Sequence, residues 1–458
     1  MAPITADQLT ELQLFLKRYD GIDLYTPASP DYEEYRESFV IRPARPFAIA
    51  RPSTAGDVQA LIRFCLRHDV DFNIRSGGHD SAGRSQINNG LSIDMRKLNY
   101  VDVAEDKSVA KIGGGILLGQ LTKLLGDEDL VTPTGAVASV GYTGWSTLGG
   151  YGPFSSLYGL GVDQIVGAKL VNARGEIVDA GEDLLTGIRG GGGIFGIIVE
   201  LTVKVYPLSQ AQILSSTLIY NSTDMLDTWN VFANRYNELQ ENEGVPDALQ
   251  FQQFAMEYPG FGKAFSIGVT WADQDESEGL RWIEKVAGFG DCINISTQSV
   301  TMNQFTLNQE AVTPWPAYGR SHSISLKELT VTTLAVLANY SSLIPGGGTG
   351  LALHELRHPK PNNASVFGNR RSHHMIEILS VTTDVDYVAA GEQWALALKD
   401  DLRREDPANV LGGYIPLMDD DDTDLRLVYG DLYQTLLELK EKYDPRNVYH
   451  YAIPRLFR

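Results

Sequence analysis

The stretch RSGGHD, residues 75–80, follows a short extended segment at residues 72–75, and the rest of the chain can be organised around it. Two adjacent glycines allow positive φ angles and turn several backbone N–H groups to one side. Such a concave group of donors is suited to binding a pyrophosphate. An ordinary tight turn is the alternative interpretation of the same residues.

Two further glycine-dense stretches follow in the same half of the chain. They read GYTGWSTLGGYG at residues 141–152 and RGGGGIFG at residues 189–196. Neither matches a Rossmann G-x-G-x-x-G motif after a strand, and neither is a P-loop, because no Gly-Lys-Ser/Thr follows. Three such stretches within one αβ half indicate a large, flat cofactor that backbone atoms hold along its length.

The first half of the chain alternates short strands with helices. Thr54 is a suitable N-cap for a helix whose apolar face carries Val58, Leu61, Ile62 and Cys65. Residues 166–180 are predicted to form a hairpin, because two alternating runs are joined by Asn-Ala-Arg-Gly. Further strands are predicted at residues 72–75, 91–94 and 196–206.

The pattern changes between residues 208 and 405. Long amphipathic stretches at 222–240 and 386–403 alternate with β-rich runs at 247–257, 263–271 and 374–382. This pattern predicts an α+β unit in which helices pack on one antiparallel sheet. A last helix is predicted at 426–442, before the turn that begins at Tyr443.

Motifs spread over nearly the whole chain resemble the FAD-linked oxidases of the vanillyl-alcohol oxidase/p-cresol methylhydroxylase fold, and specifically their berberine-bridge-enzyme-like branch. The motifs are Arg75–His79, Pro133-Thr134-Gly135, Val140-Gly141-x-x-Gly144, Gly149-Gly150-Tyr151-Gly152, Tyr158-Gly159-Leu160 with Asp163, Arg189–Gly196 and Tyr443-Asp444-Pro445-x-Asn447. The resemblance implies an α+β fold. A two-part αβ FAD-binding domain, residues 1–206 and 406–458, would enclose a substrate domain at 207–405 with an antiparallel sheet covered by helices.

The resemblance also implies that His79 is bonded through its imidazole to the 8α-methyl carbon of FAD. A neutral imidazole is nucleophilic near neutral pH, whereas a histidine in a surface turn would have no such role. Many relatives carry a second, cysteinyl bond to the flavin, but this chain has Val137 at that position, so a single link is expected. The other residues assigned to the cofactor are Arg75, Ser76, Gly77, Gly78, Asp80, Thr134, Gly135, Val140, Gly141, Gly144, Gly150, Gly152, Gly196, Ile197 and Asn447.

Three residues are candidates for the catalytic base that such an enzyme needs. Tyr414 occupies a position where relatives use a tyrosinate, although Pro416 and Leu417 replace the usual Asn and Tyr of that motif. Glu377 lies on a predicted strand that relatives direct at the flavin, and a salt bridge with Arg370 or Arg371 is the alternative. Tyr151 would lie beside the flavin, or would simply pack in a glycine-rich wall.

The resemblance implies hydride transfer from an alcohol or amine carbon of a small organic, secondary-metabolite-like substrate. Val140, a small residue at the position near flavin C4a, favours reaction with O2 to give hydrogen peroxide. A dehydrogenase, an oxidative-cyclisation enzyme, a carbohydrate oxidase and a flavin-binding protein without turnover are the alternatives. The pair of histidines before Glu377 is not expected to bind a metal, because His373 and His374 point to opposite faces of a strand.

Charge and composition exclude other classes of partner. The chain has 458 residues and a formal net charge of −20, which argues against nucleic acid and anionic membrane surfaces. No run approaches the roughly 18 apolar residues of a membrane span. The N-terminus has the pattern of an amphipathic helix rather than a signal peptide, so an intracellular, cytoplasmic enzyme is expected. The aspartate run at 419–422 is predicted to be a solvated loop.

Overall fold

The first unit of the structure is built from a four-stranded sheet, a five-stranded sheet and a two-stranded sheet, with their flanking helices. The computed structural model describes residues 5–208, 212–357, 359 and 364–456. The elements of the first unit are α1 (Ala6–Leu16), β1 (Ile22–Tyr25), α2 (Tyr32–Arg36), β2 (Ala48–Pro52), α3 (Ala55–His68), β3 (Phe72–Arg75), β4 (Leu91–Asp94), β5 (Val101–Val103), β6 (Val109–Gly113), α4 (Leu118–Gly126), β7 (Leu130–Val131), α5 (Tyr142–Thr147), α6 (Ser155–Tyr158), α7 (Gly161–Gln164), β8 (Ile165–Asn172), β9 (Ile177–Asp179), α8 (Glu182–Gly191), β10 (Gly196–Lys204) and β11 (Tyr206–Pro207).

Local sequence signals determine where these elements begin and end. Helix α3 starts at a capping box in which Thr54 accepts a hydrogen bond from the backbone N–H of Asp57. Strands β3 and β4 pair in parallel within the sheet of order β1-β2-β4-β3, which places the glycine turn at the end of the edge strand β3. The predicted hairpin is confirmed, because β8 and β9 pair antiparallel in the sheet of order β5-β6-β10-β8-β9.

The second unit is a large antiparallel sheet with helices. Its elements are β12 (Gln212–Tyr220), α9 (Met225–Asn242), β13 (Leu249–Tyr258), β14 (Gly262–Trp271), α10 (Glu276–Ala287), β15 (Cys292–Thr301), α11 (Met302–Val312), β16 (Tyr318–Leu326), α12 (Val331–Ser342), β17 (Gly350–Leu356), β18 (His373–Thr382) and α13 (Val388–Glu405). Within the described ranges the strand order is β15-β12-β14-β13-β17-β18-β16.

Helices cover one face of this large sheet, as the sequence predicted. Ile376 and Ile378 of β18 belong to a buried cluster that also contains Trp229 of α9, Leu337 of α12 and Leu398 of α13. Alternation along a strand sends the neighbouring residues to the other face. Met375 accordingly lies in a different cluster, on the side of the sheet that meets the first unit.

The C-terminal segment returns to the first unit. It contains α14 (Leu425–Tyr429) and α15 (Tyr433–Tyr443), so the single helix predicted at 426–442 is wrong. Gly430, with φ of 55°, breaks it, because this left-handed backbone cannot continue an α-helix. Leu436 of α15 packs in one cluster with Ile188 of α8, and Lys440 donates a hydrogen bond of 2.7 Å to the carbonyl of Ile194.

The aspartate run at 419–422 is not a freely solvated loop, and that expectation is wrong. Three of its carboxylates pair with basic side chains from other parts of the chain. Asp419 pairs with Arg320. Asp420 pairs with Arg84 at 3.3 Å and with Arg455 at 3.0 Å, and Asp422 pairs with Lys399 and with Arg403 at 2.9 Å.

None of the helices in the described part of the chain combines the length and the apolar character that a membrane-spanning helix needs.

Candidate active site

The turn that carries His79 packs backbone against backbone with the second glycine-dense stretch. A Cβ atom added to Gly77 would lie 2.4 Å from the backbone nitrogen of Gly141 and 2.5 Å from the carbonyl oxygen of Ser139. Real Cβ atoms do not approach backbone this closely, so only glycine allows the two segments to meet. This contact fixes the position of His79 relative to residues 137–141.

Aromatic rings enclose the imidazole of His79. The ring of Phe39 stacks on it with centroids 4.8 Å apart, and Trp315 lies at 5.4 Å. The Nε2 atom is 2.7 Å from Oγ of Ser139. Burial, together with the nearby Arg75 guanidinium, lowers the pKa of His79 to about 3. The imidazole is therefore neutral at physiological pH and keeps one nitrogen lone pair.

Several buried polar groups of the first unit fit a bound FAD. The hydroxyl oxygens of Ser76, Thr134 and Ser146 are buried, and none has a hydrogen-bond partner among the described residues. Buried polar atoms without partners are rare in native proteins, and a bound ligand is one explanation for them. A Cβ atom added to Gly144 would meet no atom of the described residues within 4 Å apart from its own helix. The open space and the free hydroxyls suit the polar part of FAD.

Other residues assigned to the cofactor hold the walls of the site together. Gly135 and Gly152 belong to segments that meet closely, because a Cβ atom at Gly152 would lie 1.9 Å from the carbonyl oxygen of Thr134. Gly150 needs its positive φ of 86°. Val140 packs half-buried against the core of the first unit. Gly78 also has a positive φ, of 77°, directly before His79.

Some assigned side chains are already bonded within the protein. Arg75 is buried and donates to the carbonyls of Tyr35 and Glu37. Asp80 accepts hydrogen bonds from Arg84, at 2.6 Å from its guanidinium. Asn447 donates through its backbone N–H to Asp444. Their bonds position the surrounding backbone. Two more assigned residues, Gly196 and Ile197, begin β10 and pair with residues 171–172 of β8.

Two of the candidate bases, Tyr151 and Tyr414, come together in the structure. Their rings form an edge-to-face pair with centroids 5.2 Å apart. The hydroxyl of Tyr414 accepts a hydrogen bond from the N–H of Gly150 at 3.3 Å and donates to the carbonyl of Trp145 at 3.4 Å. Burial raises the pKa of Tyr414, and the carboxylate of Glu377 adds to the rise.

Sequence reasoning gave no role to His373, which is the partner of Tyr151. The Tyr151 hydroxyl is 2.7 Å from Nε2 of His373, and Nδ1 of the same ring is 2.7 Å from the carbonyl of Arg371. Because a carbonyl can only accept, Nδ1 carries the hydrogen and Nε2 accepts from Tyr151. Burial lowers the pKa of His373 to about 4, so the ring is neutral at physiological pH and keeps its Nε2 lone pair for the Tyr151 hydroxyl. Residues at even spacing along a strand share one face, and this alternation, which joins His373 to Glu377, was the available signal.

Glu377 lies on the same face of β18, with Ser323 and Ala352 as its cross-strand neighbours. Its carboxylate is 3.6 Å from Nε2 of His354. The alternative of a salt bridge with Arg370 or Arg371 is wrong, because among the described residues Glu377 pairs with His354 and Arg370 pairs with Asp163. The arrangement puts a carboxylate–imidazole pair on the sheet face that carries His373.

Comparisons with known proteins agree with this geometry. The profile of a family described as an FAD binding domain matches residues 46–181. The FAD-linked oxidoreductase aurO of Gibberella zeae is 34% identical over 445 residues, which covers 95% of this chain and 86% of that protein.

Solved structures share the fold at low sequence identity. BBE-like 1 of Physcomitrella patens has a TM-score of 0.81 at 20% identity, over 98% of this chain and 100% of that one. A carbohydrate oxidase from Microdochium nivale has a TM-score of 0.81 at 21% identity, over 98% and 99% of the two chains. The fold is thus the one that the sequence motifs predicted. By its close relative, its FAD-binding segment and this fold, the chain belongs to the FAD-linked oxidoreductases.

Proposed function

We propose that the protein is an oxidase that carries FAD through one covalent bond to His79 and oxidises an alcohol or amine carbon of a small organic substrate. In this proposal residues 1–206 and 406–458 bind FAD, and residues 207–405 supply the wall on the substrate side. The observation that carries it is the meeting of Tyr151, His373 and Tyr414, which come from three separate segments and together offer a proton acceptor.

The covalent link is supported by the surroundings of His79. Its imidazole is neutral and is enclosed by Phe39 and Trp315, and the same turn carries Ser76, whose buried hydroxyl has no partner among the described residues. Val137 offers no thiol for a second bond. The purified protein, denatured and run on a gel, should keep flavin fluorescence under ultraviolet light, and His79→Ala should lose it. Loss of fluorescence from the unsubstituted protein on denaturation would refute the link.

The residues on the sheet face support a division of roles during oxidation. When bound, FAD would supply the hydride acceptor for the substrate carbon and the path of two electrons to O2. Tyr151 and His373 take the proton of the substrate O–H or N–H, since the tyrosine hydroxyl already donates to a neutral imidazole. Tyr414 holds the Gly150 backbone in place. Glu377, paired with His354, orients the substrate.

The oxidase reaction is tested by the rate at which O2 reoxidises the reduced flavin. The small side chain of Val140 supports fast reoxidation. The enzyme would be photoreduced without oxygen and then mixed with air, and we expect the oxidised spectrum to return within seconds, with hydrogen peroxide formed. Return over minutes would identify a dehydrogenase instead.

The substrate class is tested by flavin bleaching without oxygen. Small aromatic alcohols and amines would be compared with oligosaccharides, and we expect bleaching with members of the first group. Bleaching by oligosaccharides alone would make the protein a carbohydrate oxidase. No bleaching with either group would identify a flavin-binding protein without turnover.

A further inference from the structure

A hydrogen-bonded chain of three side chains runs from His79 into the second unit. Nε2 of His79 is 2.7 Å from Oγ of Ser139, and that hydroxyl is 2.7 Å from Oε2 of Glu310. The backbone N–H of Ser139 donates to the same carboxylate oxygen at 2.9 Å. Glu310 lies on α11, so a residue of the second unit binds the serine that contacts His79.

The direction of each hydrogen bond follows from the chemistry of the carboxylate. A carboxylate only accepts, so Ser139 donates both its O–H and its N–H to Glu310. With its single hydroxyl hydrogen used in this way, Oγ of Ser139 is left as an acceptor toward His79. Nε2 of His79 must then carry the hydrogen, and the lone pair of the neutral ring lies on Nδ1.

We infer that Ser139 and Glu310 are positioning residues for the covalent attachment of FAD to His79. They hold the tautomer in which Nδ1 is the free nucleophile, and the Glu310 carboxylate takes up the positive charge that develops on the ring as the bond forms. This inference rests on the covalent link proposed above. Carboxylate partners fix the tautomer of metal-binding histidines by the same physical effect.

The atoms and electrons of the attachment balance with dioxygen as oxidant. One C–N bond forms between Nδ1 of His79 and the 8α-methyl carbon, while one methyl C–H bond and the Nε2–H bond break. The Nε2 proton leaves along Ser139 to Glu310. The two electrons of the C–H bond pass through the isoalloxazine to O2, which takes both protons and becomes hydrogen peroxide.

The test measures how fast FAD becomes covalently bound, separately from turnover. Apoprotein made under riboflavin limitation would be mixed with FAD, and the flavin that stays with acid-precipitated protein would be followed over time. We expect Ser139→Ala and Glu310→Gln each to slow attachment about tenfold or more, because each removes part of the proton path. Non-covalent binding, measured by flavin absorbance before acid treatment, should persist.

Two further variants separate positioning from structure. Ser139→Thr keeps the hydroxyl and should attach FAD at close to the normal rate. Glu284→Gln makes the same charge change at an exposed position of α10 and should also leave the rate unchanged.

The outcomes distinguish the inferred roles of Ser139 and Glu310 from the proposed covalent link to His79 on which they rest. Normal attachment in Ser139→Ala and Glu310→Gln, with attachment absent in His79→Ala, would overturn the inference alone. Loss of non-covalent FAD binding in both variants would also overturn it, because the residues would then serve binding. Absence of acid-stable flavin in the unsubstituted protein would overturn the covalent link and the inference together.

Discussion

At the scale of single residues, the site contains two neutral histidines. Their partners give the Nε2 atoms of the two rings opposite hydrogen-bonding roles. His79 donates through Nε2 to Ser139, whereas His373 accepts through Nε2 from Tyr151. Burial lowers the pKa of both rings, to about 3 and about 4. In each ring the neighbouring carboxylate or carbonyl therefore fixes which nitrogen carries the hydrogen and which keeps the reactive lone pair. The presence of a histidine does not decide this by itself.

Removing the hydroxyl of Tyr151 tests this assignment. We expect Tyr151→Phe to lower kcat about 100-fold, because the proton acceptor of the substrate is lost while the flavin attachment is untouched. Flavin bleaching in an anaerobic stopped-flow instrument measures the step directly. Tyr100→Phe is a matched control, since it removes the hydrogen bond that an exposed tyrosine donates to Glu200, at 2.7 Å. A normal rate in Tyr151→Phe would transfer the role of base to Tyr414 or Glu377.

At the scale of elements, the chain is predictable wherever the signal is local. The cap at Thr54 and the alternation of the 166–180 hairpin gave α3, β8 and β9 correctly. The break at Gly430 was missed, because one glycine within a periodic helical pattern is often tolerated. The partner of Glu377 and the carboxylate that accepts from Ser139 beside His79 were also missed. His354 and Glu310 are distant in sequence, and only the register of the large sheet and the position of α11 bring them near.

The glycine turn permits a matched comparison between two glycine substitutions. Gly77→Ala forces a Cβ atom to within 2.4 Å of backbone, so we expect a loss of several kcal/mol of stability. Gly144→Ala adds a methyl group in open space on α5, so stability should stay the same or rise by about 0.5–1 kcal/mol. FAD affinity should fall in Gly144→Ala if that space holds the cofactor. Thermal melting and FAD titration measure the two effects, and unchanged FAD affinity would place the cofactor elsewhere.

At the scale of the whole molecule, the aspartate run at 419–422 links the two units and the C-terminal segment. Asp420 reaches Arg84 of the first unit, and Asp422 reaches Lys399 of α13. Burial alone would raise the pKa of Asp422, but hydrogen bonds from Lys399 and Arg403 outweigh it and hold that pKa below its ordinary value. The folded state therefore favours the charged form.

Breaking this link should destabilise the protein. Asp422→Asn leaves the buried Lys399 without its carboxylate partner, and we expect a loss of about 1–3 kcal/mol, reduced because Asp422 is itself partly exposed. The stabilisation is present at neutral pH and is lost as the pH falls through the lowered pKa of Asp422. Urea unfolding at pH 7 measures the loss, with Asp431→Asn, an exposed aspartate, as the control. Equal stability of both variants would contradict a role for the link.

Buried histidines should make the fold sensitive to mild acid. Burial lowers the pKa of His373 and of His374 to about 4 from the ordinary 6.5. The unfolded chain therefore binds more protons between these values, and stability should fall as the pH drops from 6.5 toward 4. His374→Gln should flatten the dependence of Tm on pH, whereas His68→Gln, at a surface pair with Glu11, should not. An unchanged slope in His374→Gln would disprove the assignment.

The aromatic enclosure of His79 also sets an order of events during biosynthesis. Phe39 lies before His79 in the chain, whereas Glu310 and Trp315 are translated long after all three glycine stretches. When only the first unit has been synthesised, the nascent chain contains His79. It still lacks the ring of Trp315 and the carboxylate of Glu310. With the attachment proposed above, cofactor loading becomes a late maturation step, completed only after the second unit has been synthesised and has docked.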